Sequence, residues 1–597
     1  MTRWLSGLVA LALVALAAGL AAGARARPDV PAAASPRVDP AHPPVAFGGP
    51  DGRRALDGAW VVSSRRGGPG RRAHLPYSPN ARSLTLSSYA GAVAWYRTVV
   101  GVRGGVYALR FESVNHRATV WVDGRVVARH VGDALPFEAR VRLARGHHRV
   151  EVRADWRDPD AMKATGWHRA WFNFGGIDRE VTIRRVGGVE VEAPSIVTRL
   201  ERGDTAVVDV AARVRGGRAT RVAGSLGGTP LSFGAVGPDG VARARLRIAH
   251  PALWSPGHPA LHVLHVEAGG SGWTERVGLR ELRWDGGKLR VNGRALTLHG
   301  ASLQEDAPGR GTALRPSDMD RLVSRLKAIG ANATRAQHPL SPALLERLDA
   351  AGILVWQEIG PMEGPGNWTS TTPALRRAAL RRDRIAVEQE RTHPSILAWN
   401  LANEAAHQGH DGGQAAYTRA AARLVHQLDP GRPVALDVWG RGLPANDRGP
   451  MYEDIDVFGV TMYEGWYERP GEPRGDVIAN LRRRLAVAHA IFRDRVLVVT
   501  EFGAEANRSN PSGAPGSEDY QARLIGDQIR VLRADPRLSG WLVWALQDFA
   551  LTPTFGGGSV RHRLPSLRLV PGLNQKGLFT YDGDPKPAAA VVRALSR

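Results

Sequence analysis

The stretch Ser395-Ile396-Leu397-Ala398-Trp399-Asn400-Leu401-Ala402-Asn403-Glu404 decides the fold. It is a short apolar run, bounded by Pro394 and ending in an Asn-Glu pair. A run of this length between a helical segment and a polar loop predicts a buried parallel strand. Val496-Leu497-Val498-Val499-Thr500-Glu501-Phe502-Gly503 has the same form, with a carboxylate at its tip. Between and around the two, the period alternates. Asp318 to Ile329 carries apolar residues at helical spacing and precedes the strand-like Ala331-Asn332-Ala333-Thr334-Arg335. Leu344 to Ala351 reads as the next helix and Ile353-Leu354-Val355-Trp356 as the next strand. Strands alternating with helices from about residue 284 to 597 predict a (β/α)8 TIM barrel. Its strand ends are expected near Gly300, Arg335, Glu358, Glu404, Val438, Tyr463, Glu501 and Trp544.

Upstream the rhythm is different. Over 46–186 short alternating strands recur, among them Val106 to Phe111, and Ala118 to Val122 running into the turn Asp123-Gly124. They predict a β-sandwich of jelly-roll type. Over 187–283 a second β pattern with Gly-rich turns includes Val207-Val208-Asp209-Val210 and Ala242-Arg243-Ala244-Arg245-Leu246. It suits an immunoglobulin-like sandwich and reads as a spacer. The chain is therefore expected to be multidomain. Residues 25–45 are Pro/Ala-rich and read as a tether. Residues 1–24 read as an export signal, with Arg3, an apolar region from Leu8 to Ala22 and an Ala22-Gly23-Ala24 cleavage site. This implies a secreted or cell-envelope protein. The competing reading is an uncleaved anchor, since the uncharged stretch Trp4 to Ala24 could just span a bilayer.

A net charge of +23 raises nucleic-acid binding, but the basic residues are scattered, with no long Lys/Arg run and no recognisable nucleic-acid module. No nucleic-acid partner is expected, and no stable membrane partner unless the signal stays uncleaved; homo-oligomerisation is left open. The absence of cysteine excludes disulfides, a lipidated cysteine and thiolate metal sites. No cofactor and no metal are expected.

The chemistry rests on Glu404 and Glu501, 97 positions apart at two strand tips. The C-terminal tips are where such a barrel places its reacting groups. A lone glutamate there commonly caps the next helix; two on separate buried strands, one directly after Asn403, are harder to read that way. Two facing carboxylates, one protonated and one ionised, are what cleavage of a glycosidic bond requires. His393-Pro394-Ser395, Trp399, Asn403-Glu404 and Thr500-Glu501-Phe502-Gly503-Ala504-Glu505 resemble glycoside hydrolase family 2, which holds β-glucuronidases, β-galactosidases and β-mannosidases. Nearly the whole chain after residue 45 shares the resemblance. Ala94-Trp95-Tyr96-Arg97, Trp171 to Ile177 and Leu253-Trp254-Ser255-Pro256 look like markers of the family's two β-domains. The aromatic group Trp167, Trp171, Phe172 and Phe174 reads as core or as an interface against the barrel, with a sugar platform as the alternative.

The resemblance implies a retaining exo-β-glycosidase, with a carbohydrate or glycoconjugate substrate, in which Glu404 is the acid/base and Glu501 the nucleophile. It further implies that Arg335 and Tyr463 donate to the nucleophile, and that Asn403 and Asp306 bind sugar hydroxyls. His338 is implied at the second strand end and Trp544 as the aromatic floor, with plain core as the other reading of that Trp. Glu358 and Glu505 read as supports of arginine and backbone. Several positions depart from the family. Gln304 stands where members commonly carry His, which speaks against any metal-assisted variant. Thr461 and Glu464 replace the Asn and Tyr usual in the glucuronidase form. Asn574-Gln575-Lys576 resembles the Asn-x-Lys segment that holds a sugar carboxylate in β-glucuronidases, which is the substrate reading; a β-galactosidase or other neutral-sugar glycosidase is the alternative. A non-catalytic carbohydrate-binding protein would be favoured by loss of either glutamate, and both are present. No Gly-x-Ser-x-Gly stands on a strand-to-helix turn and no His-Glu-x-x-His occurs, so other hydrolases fall lower.

Overall fold

A computed structural model describes residues 38–163, 171–201, 204–217, 220–361, 372–405 and 412–597. The expected export signal, the tether up to residue 37, and Trp167 lie outside the described residues. Among those described, no helix is long and apolar enough to cross a membrane.

Two antiparallel sheets open the chain. A six-stranded sheet runs through Val93–Val102, Gly146–Asp155 and Arg117–Val122, and a four-stranded sheet through Gly105–Phe111, Phe137–Leu143 and Val181–Val186. Their inward side chains, Tyr96, Val120, Val152, Leu109 and Phe111 among them, alternate with polar ones and form one core. A second pair of sheets shares another core. One carries Ser195–Glu201, Thr205–Arg215 and Val241–Ala249, the other Val222–Leu226, His262–Ala268 and Ser271–Val277. Gly49–Pro50 pairs with Ser271–Val277 in this second sandwich, although it precedes the first in sequence. Two residues carry no periodicity, so their pairing could not be read from the chain.

The remainder closes a parallel eight-stranded barrel: β1 (Leu298–Ala301), β2 (Ala333–Ala336), β3 (Leu354–Glu358), β4 (Ile396–Asn400), β5 (Val434–Trp439), β6 (Val457–Thr461), β7 (Val496–Glu501) and β8 (Gly540–Val543). Around it lie α1 (Pro316–Ala328), α2 (Pro342–Ala351), α3 (Pro373–Glu390), α4 (Gly412–Leu428), α5 (Arg474–Ile491), α6 (Glu518–Arg533) and α7 (Pro587–Leu595). Proline opens four of these, where its missing N–H costs nothing. The Thr372 and Ser517 hydroxyls cap α3 and α6. Gly352, at φ +69°, ends α2 in the left-handed conformation.

The eight expected strand ends fall on or within a few residues of the observed ones. The β4 run is shorter than its apolar pattern suggests: the strand stops at Asn400, and the chain turns so that Glu404 sits at φ +46°. Such a φ is uncommon for a non-glycine residue and concentrates at functional sites. Trp254 is fully buried, donates from its indole to the Asp349 carbonyl at 2.9 Å and packs with Leu354 and Trp356. It fastens the second sandwich to the N-terminal end of the barrel.

Candidate active site

At the C-terminal mouth, one guanidinium organises the floor. Arg335, at the tip of β2, is fully buried. It donates to Glu501 Oε1 at 2.5 Å, to Asp437 Oδ2 at 2.7 Å and to Asn403 Oδ1 at 2.6 Å. Glu358 lies 3.8 Å away. Burial opposes the charge, but Asp437, Glu501 and Glu358 outweigh it and raise the guanidinium's pKa. Asp437 is held in turn by the Trp356 indole at 3.0 Å and the Asn400 amide at 3.1 Å. Gly459 on β6 makes room for it: a Cβ there would lie 1.9 Å from Asp437 Oδ1. Burial raises the pKa of Glu358 and of Asp437, against the pull of Arg335.

The two glutamates sit in different surroundings. Glu501, on β7, accepts from Arg335, from the Gln337 amide at 3.0 Å and from the Tyr463 hydroxyl at 2.8 Å. Burial, then the charge of Glu501, raises the pKa of Tyr463, so it remains a proton donor. Glu404 accepts from the Thr461 hydroxyl at 2.8 Å. Burial first, and the charge of Glu501 second, push its pKa up to about 8; Thr461 and Arg335 pull the other way. One carboxyl is thus poised to hold a proton near neutral pH while its neighbour is surrounded by donors. The Asn403 oxygen is committed to Arg335, which leaves its NH2 to donate to a bound hydroxyl.

Aromatic rings wall the site. Trp544, beyond β8, lies 5.7 Å from the Arg335 guanidinium and 5.6 Å from Trp171 of the first sandwich. Trp171 also meets Phe549 edge-on at 4.9 Å, while Phe172 and Phe174 pack with Ala550. The described part of the aromatic group is therefore an interface against the barrel. Tyr463 meets Tyr467 at 5.0 Å. The Tyr467 hydroxyl accepts from Lys576 Nζ at 2.7 Å, and Lys576 also reaches Glu505 at 3.2 Å. Burial works against the lysine's charge, but Glu505 and Tyr467 outweigh it and raise its pKa. Asn574 turns inward to accept the Lys576 backbone N–H at 3.1 Å.

Two residues expected at the sugar also carry structural bonds. Asp306 accepts the Ala550 N–H at 2.7 Å and the Tyr581 hydroxyl at 3.0 Å, pinning the C-terminal segment. His338 bonds Glu305 at 3.0 Å, which also takes Arg179 of the first sandwich at 2.7 Å. Gln337, Asp437, Asn400 and the Thr461 hydroxyl also join the site. Gln304 is buried, and its amide makes no hydrogen bond among the described residues.

Residues 282–555 match the TIM barrel domain of glycosyl hydrolases family 2. The barrel is a glycoside hydrolase family 2 domain. The chain is a glycoside hydrolase, as the two-carboxylate reading expects. It is 27% identical over 566 residues to a β-glucuronidase of Paenibacillus borealis, spanning 87% of this chain and 90% of that one. The structure of a family 2 β-galacturonidase from Eisenbergiella tayi bound to galacturonate superposes with a TM-score of 0.77 at 23% identity, covering 91% of this chain and 97% of the other. A β-glucuronidase from Ruminococcus gnavus in complex with D-glucaro-1,5-lactone gives 0.79 at 22% identity, with the same coverage. At these identities the two structures establish the shared multidomain fold.

Proposed function

We propose that this protein is a retaining exo-β-glycosidase acting on terminal β-glucuronides. The observation that carries the mechanism is the asymmetry of the carboxyl pair. Glu404, pushed up to about 8, holds the proton that the leaving oxygen needs. Glu501, met by Arg335, Gln337 and Tyr463, is the carboxylate that attacks the anomeric carbon. The C–O bond to the aglycone breaks as the Glu501 ester forms and the Glu404 proton passes to the aglycone. Glu404, now ionised, takes a proton from water, whose oxygen displaces Glu501 and releases the sugar with net retention. The Asn403 NH2 donates to the hydroxyl beside the reacting carbon.

The uronide reading is supported by Lys576 and Tyr467. A buried ammonium and a phenol beside the reacting pair suit a sugar carboxylate. Its relatives carry glucuronidase names. A second reading, a neutral-sugar enzyme such as a β-galactosidase, draws on the Lys576–Glu505 pair, which already satisfies the lysine without any ligand. A panel of nitrophenyl β-glycosides separates them. The expected result is highest kcat/KM on the glucuronide; preference for a galactoside sinks the uronide reading, and preference for the galacturonide sinks only the choice of epimer. For the export signal we propose cleavage near residue 24, which N-terminal sequencing of the exported protein tests.

A further inference from the structure

A cleft of about 900 Å³, lined by none of the residues around the two glutamates, opens where the two sandwiches meet helix α3. Ten arginines line it against six carboxylates. Its floor is the sheet of strands Ser195–Glu201, Thr205–Arg215 and Val241–Ala249. In the last of these, Ala242 and Ala244 turn into the core while Arg243 and Arg245 are exposed. The two-residue period sets these arginines about 6.8 Å apart on one face. Arg140 and Arg184 of the first sandwich form a second wall, and Arg384 of α3 a third.

The bland reading is a lattice of surface ion pairs that satisfy one another. The pairing does not close. Asp209 is shared by Arg199 and Arg245, and Glu192 by Arg213 and Arg215, whereas Arg140 and Arg184 have two carboxylates between them, Glu138 and Glu190. One carboxylate between two guanidiniums leaves a net positive charge and spare N–H donors, and Arg245 remains 66% exposed. Between the arginines lie the apolar side chains of Ile196, Val197 and Ala211. Charged forks flanking small apolar patches suit a ligand with anionic substituents on a ring that has a C–H face. The volume is that of a small-molecule site.

We propose that this cleft binds an anionic oligosaccharide, a short chain bearing carboxylate or sulfate groups, at a position separate from the catalytic pocket. The choice of a sugar among anions rests on the glycosidase reading; the charge and shape of the cleft do not. Such a site would hold a polymeric substrate on the enzyme while its terminus is cleaved elsewhere.

The test is calorimetric titration of the full chain at low salt, with glucuronate present to fill the catalytic pocket. The probes are an oligogalacturonate hexamer, a sulfated heparin hexasaccharide and a neutral cellohexaose. At least one anionic oligomer is expected to bind, with affinity falling tenfold or more in R243A/R245A, while nitrophenyl glycoside turnover stays unchanged. A carboxylate-only or sulfate-only response identifies the anionic group. R199A, also at an exposed position, provides the check if the double variant folds poorly. The proposal is overturned if neither anionic oligomer binds, if cellohexaose binds equally, if the variants bind as the parent does, or if a short DNA duplex binds more tightly. None of these outcomes touches the uronide reading, which the nitrophenyl panel decides.

Discussion

Arg335 donates to Glu501 across 2.5 Å from a position with no solvent exposure. The same fork reaches Asp437 and Asn403, so one side chain sets the place of a proposed nucleophile and a proposed sugar contact. A lysine has a single point charge and cannot reproduce three directed bonds. R335K is expected to lower kcat by roughly 10²–10³, or about 3–4 kcal/mol of barrier. R335A also strands Asp437 without its cation, and removing one partner of a buried pair costs about 3–5 kcal/mol. Thermal unfolding and steady-state kinetics check both; near-parental kcat in R335K would remove Arg335 from the mechanism.

The raised pKa of Glu404 gives a pH prediction with a definite sign. A general acid works only while protonated, so kcat/KM should fall as pH rises through about 8. E404A should lose that alkaline limb. It should also slow glycosides with poor leaving groups far more than dinitrophenyl glycosides, which depart without protonation. E501Q should abolish turnover and, by removing the neighbouring charge, lower the Glu404 pKa as followed by NMR. Equal losses on good and poor leaving groups in E404A would contradict the division of roles.

Thr461 should tune that limb. Its hydroxyl donates to Glu404 at 2.8 Å, and a bond to the carboxylate favours the ionised form. T461V is therefore expected to move the alkaline limb upward, while T461S keeps it in place. An unmoved limb in T461V would leave Thr461 as packing only.

What the sequence concealed in this site follows from side-chain direction. Arg335 and Gln337 lie two positions apart and share a face, so both reach Glu501, whereas His338 points away to Glu305. The motif names all three residues, and only the period of two separates them. The eight strand ends were legible because apolar runs ending in a polar residue mark them. Asp437 was missed because it sits inside the run Ala435-Leu436-Asp437-Val438; a lone carboxylate in a buried strand was the available signal, since it demands a partner. Asp306 is expected at the sugar by resemblance to the glucuronidases, and its bonds to Ala550 and Tyr581 come from residues over 200 positions away, which no local pattern reveals.

A buried carboxyl should make the fold lose stability as pH rises from about 4 to about 8. Asp383 on α3 is fully buried, accepts from the Tyr417 hydroxyl at 3.0 Å, and burial pushes its pKa up to about 8. Its unfolded counterpart ionises near 3.8. Between those values the folded state holds a proton that the unfolded state has lost, so stability falls as pH rises through the window. D383N does not titrate. It is expected to flatten the decline of Tm between about pH 4 and pH 8, and a slope identical to the parent's would show that Asp383 is ionised in the fold.

The uronide reading turns on Lys576. Its ammonium is buried, bonded to Tyr467 at 2.7 Å and to Glu505 at 3.2 Å. Lys576 can therefore serve a substrate carboxylate only by sharing its charge with Glu505. K576A should lower kcat/KM on the glucuronide by roughly 10²-fold or more, about 2.7 kcal/mol, while sparing any neutral-sugar activity. That variant also leaves Glu505 buried without its cation, so a general loss of fold must be separated from a loss of recognition. K576M/E505Q removes both charges together and should restore stability, but not uronide turnover. Y467F should weaken the uronide more mildly, because the ammonium remains. Recovery of full glucuronide activity in K576M/E505Q would show that the lysine only anchors the loop and would favour the neutral-sugar enzyme.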